Sequence, residues 1–337
     1  MSPDLATPEG WLPVVFLGLM GLSMLLYVIL DGYDLGVGML LSRADDSDKD
    51  TMISAIGPFW DANETWLVLG VGLLLVAFPL AHGVILSALY LPVAIMLVAL
   101  MLRGVAFEFR AKVRAEHKTL WNRVFFLGSL GASVAQGAML GSYVLGFESG
   151  WAAALFALFV GACVASGYLL LGASFLIMKT SGALQLRAVR WARGSLGLTA
   201  LGIAAISIAT PLLSERVFAK WFSLPNFLWL APIPVLTFAL FVVAYRTLKT
   251  LPRANDALAW LPFAATVAIF TLAFSGLAYS LYPFLVVGKI TIWQAASAPE
   301  ALKIILVGAL VVLPTIIGYT AFAYKVFWGK TQPLAYY

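Results

Sequence analysis

Long apolar stretches separated by short polar segments run through the whole chain. A helix of about 20 apolar residues crosses roughly 30 Å of hydrocarbon. The pattern predicts nine such helices, at approximately residues 11–30, 64–80, 84–102, 121–144, 151–178, 195–213, 227–245, 260–283 and 303–327. Only residues 79–83 separate the second from the third, so one long broken helix is the alternative there. We therefore expect an all-α integral membrane protein, with residues 1–337 as a single polytopic domain.

A faint internal repeat is visible in this pattern. Residues 89–92 (Leu-Tyr-Leu-Pro) open the third stretch, and residues 228–232 (Leu-Trp-Leu-Ala-Pro) open the seventh. This similarity favours two related four-helix units, at residues 11–144 and 151–283, followed by a ninth helix at 303–327. Chance similarity between apolar helices is the alternative.

Composition agrees with a membrane protein. The chain is 62% hydrophobic and 11% charged, with a mean hydropathy of +0.96, whereas soluble domains have about 45–50% apolar and about 25% charged residues. The single cysteine, Cys163, excludes an internal disulfide framework and a Cys-ligated cluster. The net charge of +5 does not indicate nucleic-acid binding, because the basic residues lie at the ends of the apolar stretches.

The basic residues also predict the orientation in the membrane. With the N-terminus outside, 17 of the 21 Lys and Arg residues fall in inner loops or at the C-terminus. This bias follows the positive-inside rule and requires an odd number of spans. The first stretch is not expected to be a cleaved signal peptide, because Asp4 and Glu9 precede it without any basic residue.

Two acidic phrases lie directly against apolar stretches. Asp31 and Asp34 are three residues apart, and so are Asp61 and Glu64, so each pair shares a helix face. Acids at such depth often mark ion or proton routes, because an unpaired buried carboxylate is costly. The alternatives are that they face water or, for Asp61, that it caps a helix.

Further polar residues accompany the acids on the predicted inner side. Arg103, Glu108 and Arg110 follow the third stretch, and Arg103 is expected to pair with an acid; snorkelling to the surface is the alternative for both arginines. Trp60 and Asn63 flank Asp61 and are predicted to support the acids. The charged run at residues 45–50 is expected to be a solvated loop.

The chain shows few candidate ligands for a metal or haem. The two histidines are His82, expected in an outer turn, and His117, expected in an inner basic loop. On opposite sides of a membrane they cannot form a bis-His haem site. The sequence contains no HExxH, CxxC or nucleotide-binding loop, so we predict neither a metal site nor catalytic residues in this chain.

The acidic phrases resemble those of subunit II of the cytochrome bd family of quinol oxidases, including its cyanide-insensitive branch. Three segments carry the resemblance: residues 30–38 (LDGYDLGVG), 57–66 (GPFWDANETW) and 103–110 (RGVAFEFR). The match is specific over about residues 15–115. Beyond them it rests on length and on the number of spans.

This resemblance implies an electrogenic, oxygen-reducing enzyme complex of the bacterial inner membrane. The chain would form a heterodimer with a haem-bearing subunit I, which carries two b-type haems, haem d and the quinol site. A small single-helix subunit and a structural quinone are further partners that the resemblance suggests. Subunit II would fold as two four-helix bundles and a peripheral helix without ligating a catalytic haem. Asp31 and Asp61 would lie on a proton path from the cytoplasm, with Asp34 and Glu64 beside them.

A secondary transporter is the alternative from another class. It would place polar residues near the middle of the membrane, in broken helices. The acids of this chain cluster towards one face instead, which favours the oxidase subunit.

Overall fold

The computed structural model describes residues 4–331, and most of them are helical. The α-helices are α1 (Pro8–Leu40), α2 (Asp46–Ile56), α3 (Trp60–Ala77), α4 (Pro79–Ala88), α5 (Tyr90–Lys112), α6 (Ala115–Val144), α7 (Trp151–Lys179), α8 (Gly182–Leu213), α9 (Glu215–Phe222), α10 (Asn226–Leu230), α11 (Pro232–Thr250), α12 (Leu261–Leu281), α13 (Ile292–Ala295) and α14 (Pro299–Val326). A short antiparallel hairpin of β1 (Phe284–Val286) and β2 (Ile290–Thr291) lies between α12 and α13.

Eight helices in this part of the chain are long and apolar enough to cross a membrane. The pair α2 and α3, bent by 51° at the break between them, makes a ninth candidate. The prediction of an all-α membrane protein with about nine spans is therefore confirmed.

Several helix bounds differ from the predicted ones. Helix α1 continues to Leu40, because the polar residues after position 30 include no helix-breaking proline. Helix α8 begins at Gly182, so the basic residues expected in a loop are helical. The two spans predicted within residues 64–102 correspond to α3 and α5, but their bounds are shifted because a separate helix, α4, stands between them. His82 lies in α4 and not in a turn.

The helices form two groups of four. In the first group α1 packs against α3 and α6, and α5 packs against α6. In the second, α7 and α11 both pack against α8, and α12 contacts α7 and α11. Contacts of α7 with α1 and α6 join the groups, and α14 lies against α1. This is the predicted arrangement of two four-helix bundles and a peripheral helix; that the two groups are sequence repeats stays a prediction.

Glycines allow the closest helix approach, between α1 and α7. A Cβ atom on Gly36 would lie 1.9 Å from the carbonyl oxygen of Tyr168, and one on Gly172 would lie 2.5 Å from the backbone of α1. Neither position can hold a side chain without separating the helices. Small residues at membrane helix crossings permit such backbone contact. The crossing fixes the half of α1 that carries the two buried acids.

We expect Gly36→Ala to destabilise the protein by about 1–3 kcal/mol, because the added methyl group must push α1 away from α7. Gly18→Ala is the matched control, since a Cβ atom on Gly18 of the same helix meets nothing within 4 Å. The thermal midpoint of the purified protein measures the difference. Equal midpoints for the two variants would contradict the close crossing.

Ion pairs fasten the segment that follows α1. The charged run at residues 45–50 is mostly exposed, as expected, but residues 46–50 form the start of helix α2 and not a loop. Arg187 of α8 pairs with Asp45 and, at 2.6 Å, with Asp48. Arg110 of α5 pairs with Asp50 at 2.8 Å. Helix α2 is thereby tied to both helix groups, although Asp46 itself stays exposed.

The end of α14 is fastened to the end of α7. The Nζ atom of Lys179 donates to the carbonyl oxygen of Phe327 at 2.6 Å. In return, the backbone N–H of Thr331 donates to the carbonyl oxygen of Lys179 at 2.8 Å. Lys330 completes the contact by donating to the carbonyl oxygen of Thr180 at 2.7 Å. The peripheral helix is therefore held by polar contacts as well as by apolar packing.

Candidate functional site: a buried acid cluster

The predicted bounds placed two acids beyond the end of the first helix, but both lie inside α1. Asp31 and Asp34 are both fully buried. They are three residues apart on one face of a 33-residue helix, which is about 50 Å long. A carboxyl group buried in an apolar helix bundle needs polar partners. The structure provides them from α3 and α5.

Arg103 is the cation of this site. It lies within α5, which continues to Lys112, and not at the end of a span as the sequence suggested. Its guanidinium is 1% exposed and contacts Asp31 Oδ1 at 2.7 Å. Its Nη2 atom also pairs with Glu64 of α3. The prediction that Arg103 pairs with an acid is therefore confirmed, and burial excludes snorkelling.

Asn63 holds the second acid of α1. Its Nδ2 atom donates to Asp34 Oδ2 at 2.7 Å and to the hydroxyl of Tyr33 at 2.9 Å. The Tyr33 hydroxyl is in turn 2.6 Å from that of Tyr324, which lies in α14. A hydrogen-bonded branch thus runs from Asp34 to the peripheral helix.

A second branch begins beside Asp31, at Tyr27. Tyr27 lies one turn before Asp31 on the same face of α1. Gln136 of α6 donates to the Tyr27 hydroxyl at 2.7 Å, and Tyr168 of α7 donates to Gln136 Oε1 at 2.7 Å. Sequence reasoning missed this branch. The spacing of Tyr27 from Asp31 was a usable signal, whereas nothing local marked Gln136 or Tyr168.

Several buried atoms of the site lack a hydrogen-bond partner among residues 4–331. They are Asp31 Oδ2, Asp34 Oδ1, and the Nε and Nη1 atoms of Arg103. Buried polar groups are nearly always paired, with protein atoms or with ordered water. These unpaired polar atoms, on three adjacent side chains, are what a site that holds internal water would show.

The acids become more exposed towards the start of α3. Glu64 has 27% of its side chain exposed, and Asp61, one turn earlier, is exposed. Asp61 lies in the first turn of α3, where its charge is favourable at the helix N-terminus. It does not act as the N-cap, which is Phe59. Trp60 packs against Phe107 of α5, with ring centroids 4.9 Å apart, beside this opening.

We call Asp31, Asp34, Glu64 and Arg103 the acid cluster. Glu108 and Arg110, also candidates from the sequence, do not join it. Glu108 is exposed and pairs with Lys112 at 3.6 Å. Arg110 is buried, but it donates to Asn122 at 2.5 Å and pairs with Asp50 of α2.

Neither histidine belongs to the acid cluster, and α5 lies between the two in the chain. His82 is in α4 and the exposed His117 is near the start of α6, with the 23 residues of α5 between the two helices. Among residues 4–331, no group of three or more His, Cys, Asp or Glu side chains could hold a metal ion.

The fold and the site define a class: a polytopic helical membrane protein in which acids and one arginine form a buried cluster. The model of the cytochrome bd terminal oxidase subunit II family matches residues 12–327. The chain belongs to this family, and membership decides between the two classes that the sequence left open, in favour of the oxidase subunit.

Individual relatives agree with this assignment over nearly the whole chain. The chain is 29% identical to cytochrome bd ubiquinol oxidase subunit 2 of Bacillus subtilis, covering 92% of this chain and 95% of the relative. It is 26% identical to cytochrome bd-I ubiquinol oxidase subunit 2 of Escherichia coli, covering 93% of each. Its fold is similar to a chain of the bd oxidase from Geobacillus thermodenitrificans, with a TM-score of 0.79, 19% identity, and coverage of 94% and 98%.

Proposed function

We propose that this chain is the non-haem-ligating subunit II of a cytochrome bd-type quinol:oxygen oxidoreductase. It supports a haem-bearing subunit I and contributes a proton path from the cytoplasm for the reduction of oxygen to water. Because those protons are drawn from one side of the membrane, turnover generates a membrane potential. The observation that carries the proposal is the acid cluster, which is buried at one end and opens at Glu64 and Asp61.

The charges of the acid cluster suit proton uptake. The cluster holds three carboxyl groups and one guanidinium, so the fully ionised cluster would carry a net charge of −2. A net charge in a low-dielectric interior is costly, and binding protons relieves it. A carboxyl group with partial access to solvent can both take up and release a proton.

The gradient of exposure gives the order of the steps. Asp61 collects a proton at the exposed start of α3, and Glu64 receives it one helical turn further in. Arg103 holds Glu64 and Asp31 together, and water on the unpartnered atoms of the cluster carries the proton between them. The haems of the partner, when bound, supply the electron transfer and the oxygen chemistry. Glu64, which is partly exposed, and the water on the unpartnered atoms are the groups through which the cluster can pass a proton to that partner.

The orientation that we propose has the N-terminus outside and the C-terminus in the cytoplasm. Lys179 and Lys330 join the end of α7 to the end of α14. Arg187 joins the start of α8 to the segment after α1. These basic residues therefore lie on one side, as the positive-inside rule expects of a cytoplasmic face.

We assign the two b-type haems and haem d to the partner. Axial ligation by two histidines does not fit this chain, because α5 separates the helices that carry His82 and His117. A small single-helix subunit stays a suggestion of the family resemblance.

A quinone head group also finds little to bind in an apolar groove of the second helix group. The groove, of about 730 Å³, lies between α11 and α12 and is almost wholly apolar. Its one hydroxyl, Thr271, already donates to the carbonyl oxygen of Val267 at 2.9 Å. The groove suits an isoprenoid tail or the acyl chain of a membrane lipid better than a polar ring.

The test of the subunit assignment is the haem spectrum of the complex purified through a tag on this chain. We expect haem b and haem d bands when the chain is expressed with its partner, and none when it is expressed alone. The double variant His82→Ala and His117→Ala should keep the full spectrum, because neither histidine is needed as a ligand. Loss of one haem signal from an intact double-variant complex would refute the assignment.

A further inference from the structure

We infer that Gln136 and Asn63 bound the acid cluster, so that the two branches that begin beside it do not conduct protons. The inference rests on the proposed function and concerns where the proton path ends. In one branch, the carboxamide of Asn63 contacts Asp34 directly. In the other, the carboxamide of Gln136 follows Tyr27.

A carboxamide joins hydrogen bonds without relaying protons. It donates through its NH2 group and accepts through its carbonyl oxygen, but it takes up no proton near neutral pH, unlike a carboxyl group, an imidazole or water. Gln136 donates to Tyr27 and accepts from Tyr168. If its amide were turned over, it would donate to Tyr168 and accept from Tyr27, and it would still transfer no proton.

The position of Gln136 determines which route for protons this boundary closes. The line from Asp31 through Tyr27 runs back along α1, away from the open side at Glu64, and continues to α6 and α7. Tyr27 is 2% exposed and Tyr168 is 1% exposed, so the line is buried. A conducting line here would draw protons away from the partner and deeper into this subunit. With Gln136 in place, a proton on Asp31 can leave only through Glu64 or the adjacent water.

Asn63 has the same function at the other acid. Its NH2 group donates both to Asp34 and to Tyr33, so Tyr33 receives a hydrogen bond from the cluster but no proton. The Tyr33 hydroxyl also shares a hydrogen bond with that of Tyr324. This branch therefore links α1 to α14 mechanically while protons stay on the acids.

The test is the pH dependence of quinol-driven oxygen consumption by the purified complex. We expect Gln136→Met to keep at least about half of the wild-type rate with an unchanged pH profile, because no proton passes this side chain. Gln136→Glu adds a carboxyl group one tyrosine away from Asp31. Its pH profile should move by about one unit to higher pH, since like charges make each proton harder to lose.

Three outcomes would overturn the inference. An intact Gln136→Met complex that loses as much activity as Asp31→Asn would place Gln136 on the route. A wild-type pH profile for Gln136→Glu would show that the residue is not coupled to the acids. If neither variant assembles, Tyr168→Phe removes only the far hydroxyl, and a loss of about 10-fold or more would show that protons use the branch. Failure of the proposed function looks different, because Asp31→Asn would then keep the wild-type rate.

Discussion

Replacing Asp31 with Asn is expected to lower quinol-driven oxygen consumption by about 10-fold or more, with the haem spectrum of the complex unchanged. Asn has nearly the same shape and can still accept a hydrogen bond from Arg103, but it cannot carry a proton. Glu64→Gln should show the same loss, and Asp61→Asn a smaller one, because water can partly replace a group at the exposed end. Asp61→Glu should retain more activity than Asp61→Asn.

The matched control is Glu108→Gln. Glu108 is an acid of α5, only five residues from Arg103, but it is exposed and outside the acid cluster. It should keep the wild-type rate. If Asp31→Asn and Glu64→Gln also consume oxygen and generate membrane potential at the wild-type rate, the acids are structural and the proton path lies elsewhere in the complex.

Replacing Arg103 with Leu is expected to prevent assembly of a stable protein. The change leaves Asp31 and the inner part of Glu64 without their cation, and removing one partner of a buried ion pair costs about 3–5 kcal/mol. Lys118→Leu is the control, because Lys118 makes only an exposed contact with Asp50 at 3.4 Å. Yield and thermal midpoint of the purified complex measure both variants.

A compensating change makes this test more specific. Combining Arg103→Leu with Asp31→Leu and Glu64→Gln removes the two carboxylates that lose their cation, so the triple variant should recover assembly that Arg103→Leu alone loses. It should not recover oxygen consumption, because positions 31 and 64 no longer carry protons. Equal tolerance of Arg103→Leu and Lys118→Leu would contradict the buried pair.

The sequence predicted the fold well because the membrane imposes simple rules. A helix must be about 20 residues long to cross the bilayer, and this length is visible as nine apolar stretches. The ends were harder to place. Helix α1 continues ten residues beyond its predicted end, because a helix packed against α6 and α7 can bury polar residues such as Asp31 that an apolar pattern excludes.

The site was predicted in its residue types but not in its geometry. Arg103 was expected to pair with an acid because a buried charge needs a counter-charge. The rotation of α3 decides which of its acids reaches Arg103, and the sequence does not give this rotation. In the structure Glu64 faces Arg103, whereas Asp61 is exposed. Gln136 could not have been found, since its partner Tyr27 is 109 positions away in the chain.

The hydrogen bond between Tyr33 and Tyr324 has a consequence for biosynthesis. These residues are separated by 291 positions and belong to the first and last spanning helices. Because the chain is made from its N-terminus, α1 enters the bilayer long before α14 exists. Until the final helix arrives, the Tyr33 hydroxyl lacks its native partner, and this side of α1 remains open to lipid, to water or to a chaperone. Insertion of α14 and closure of this side of the bundle are therefore the same event.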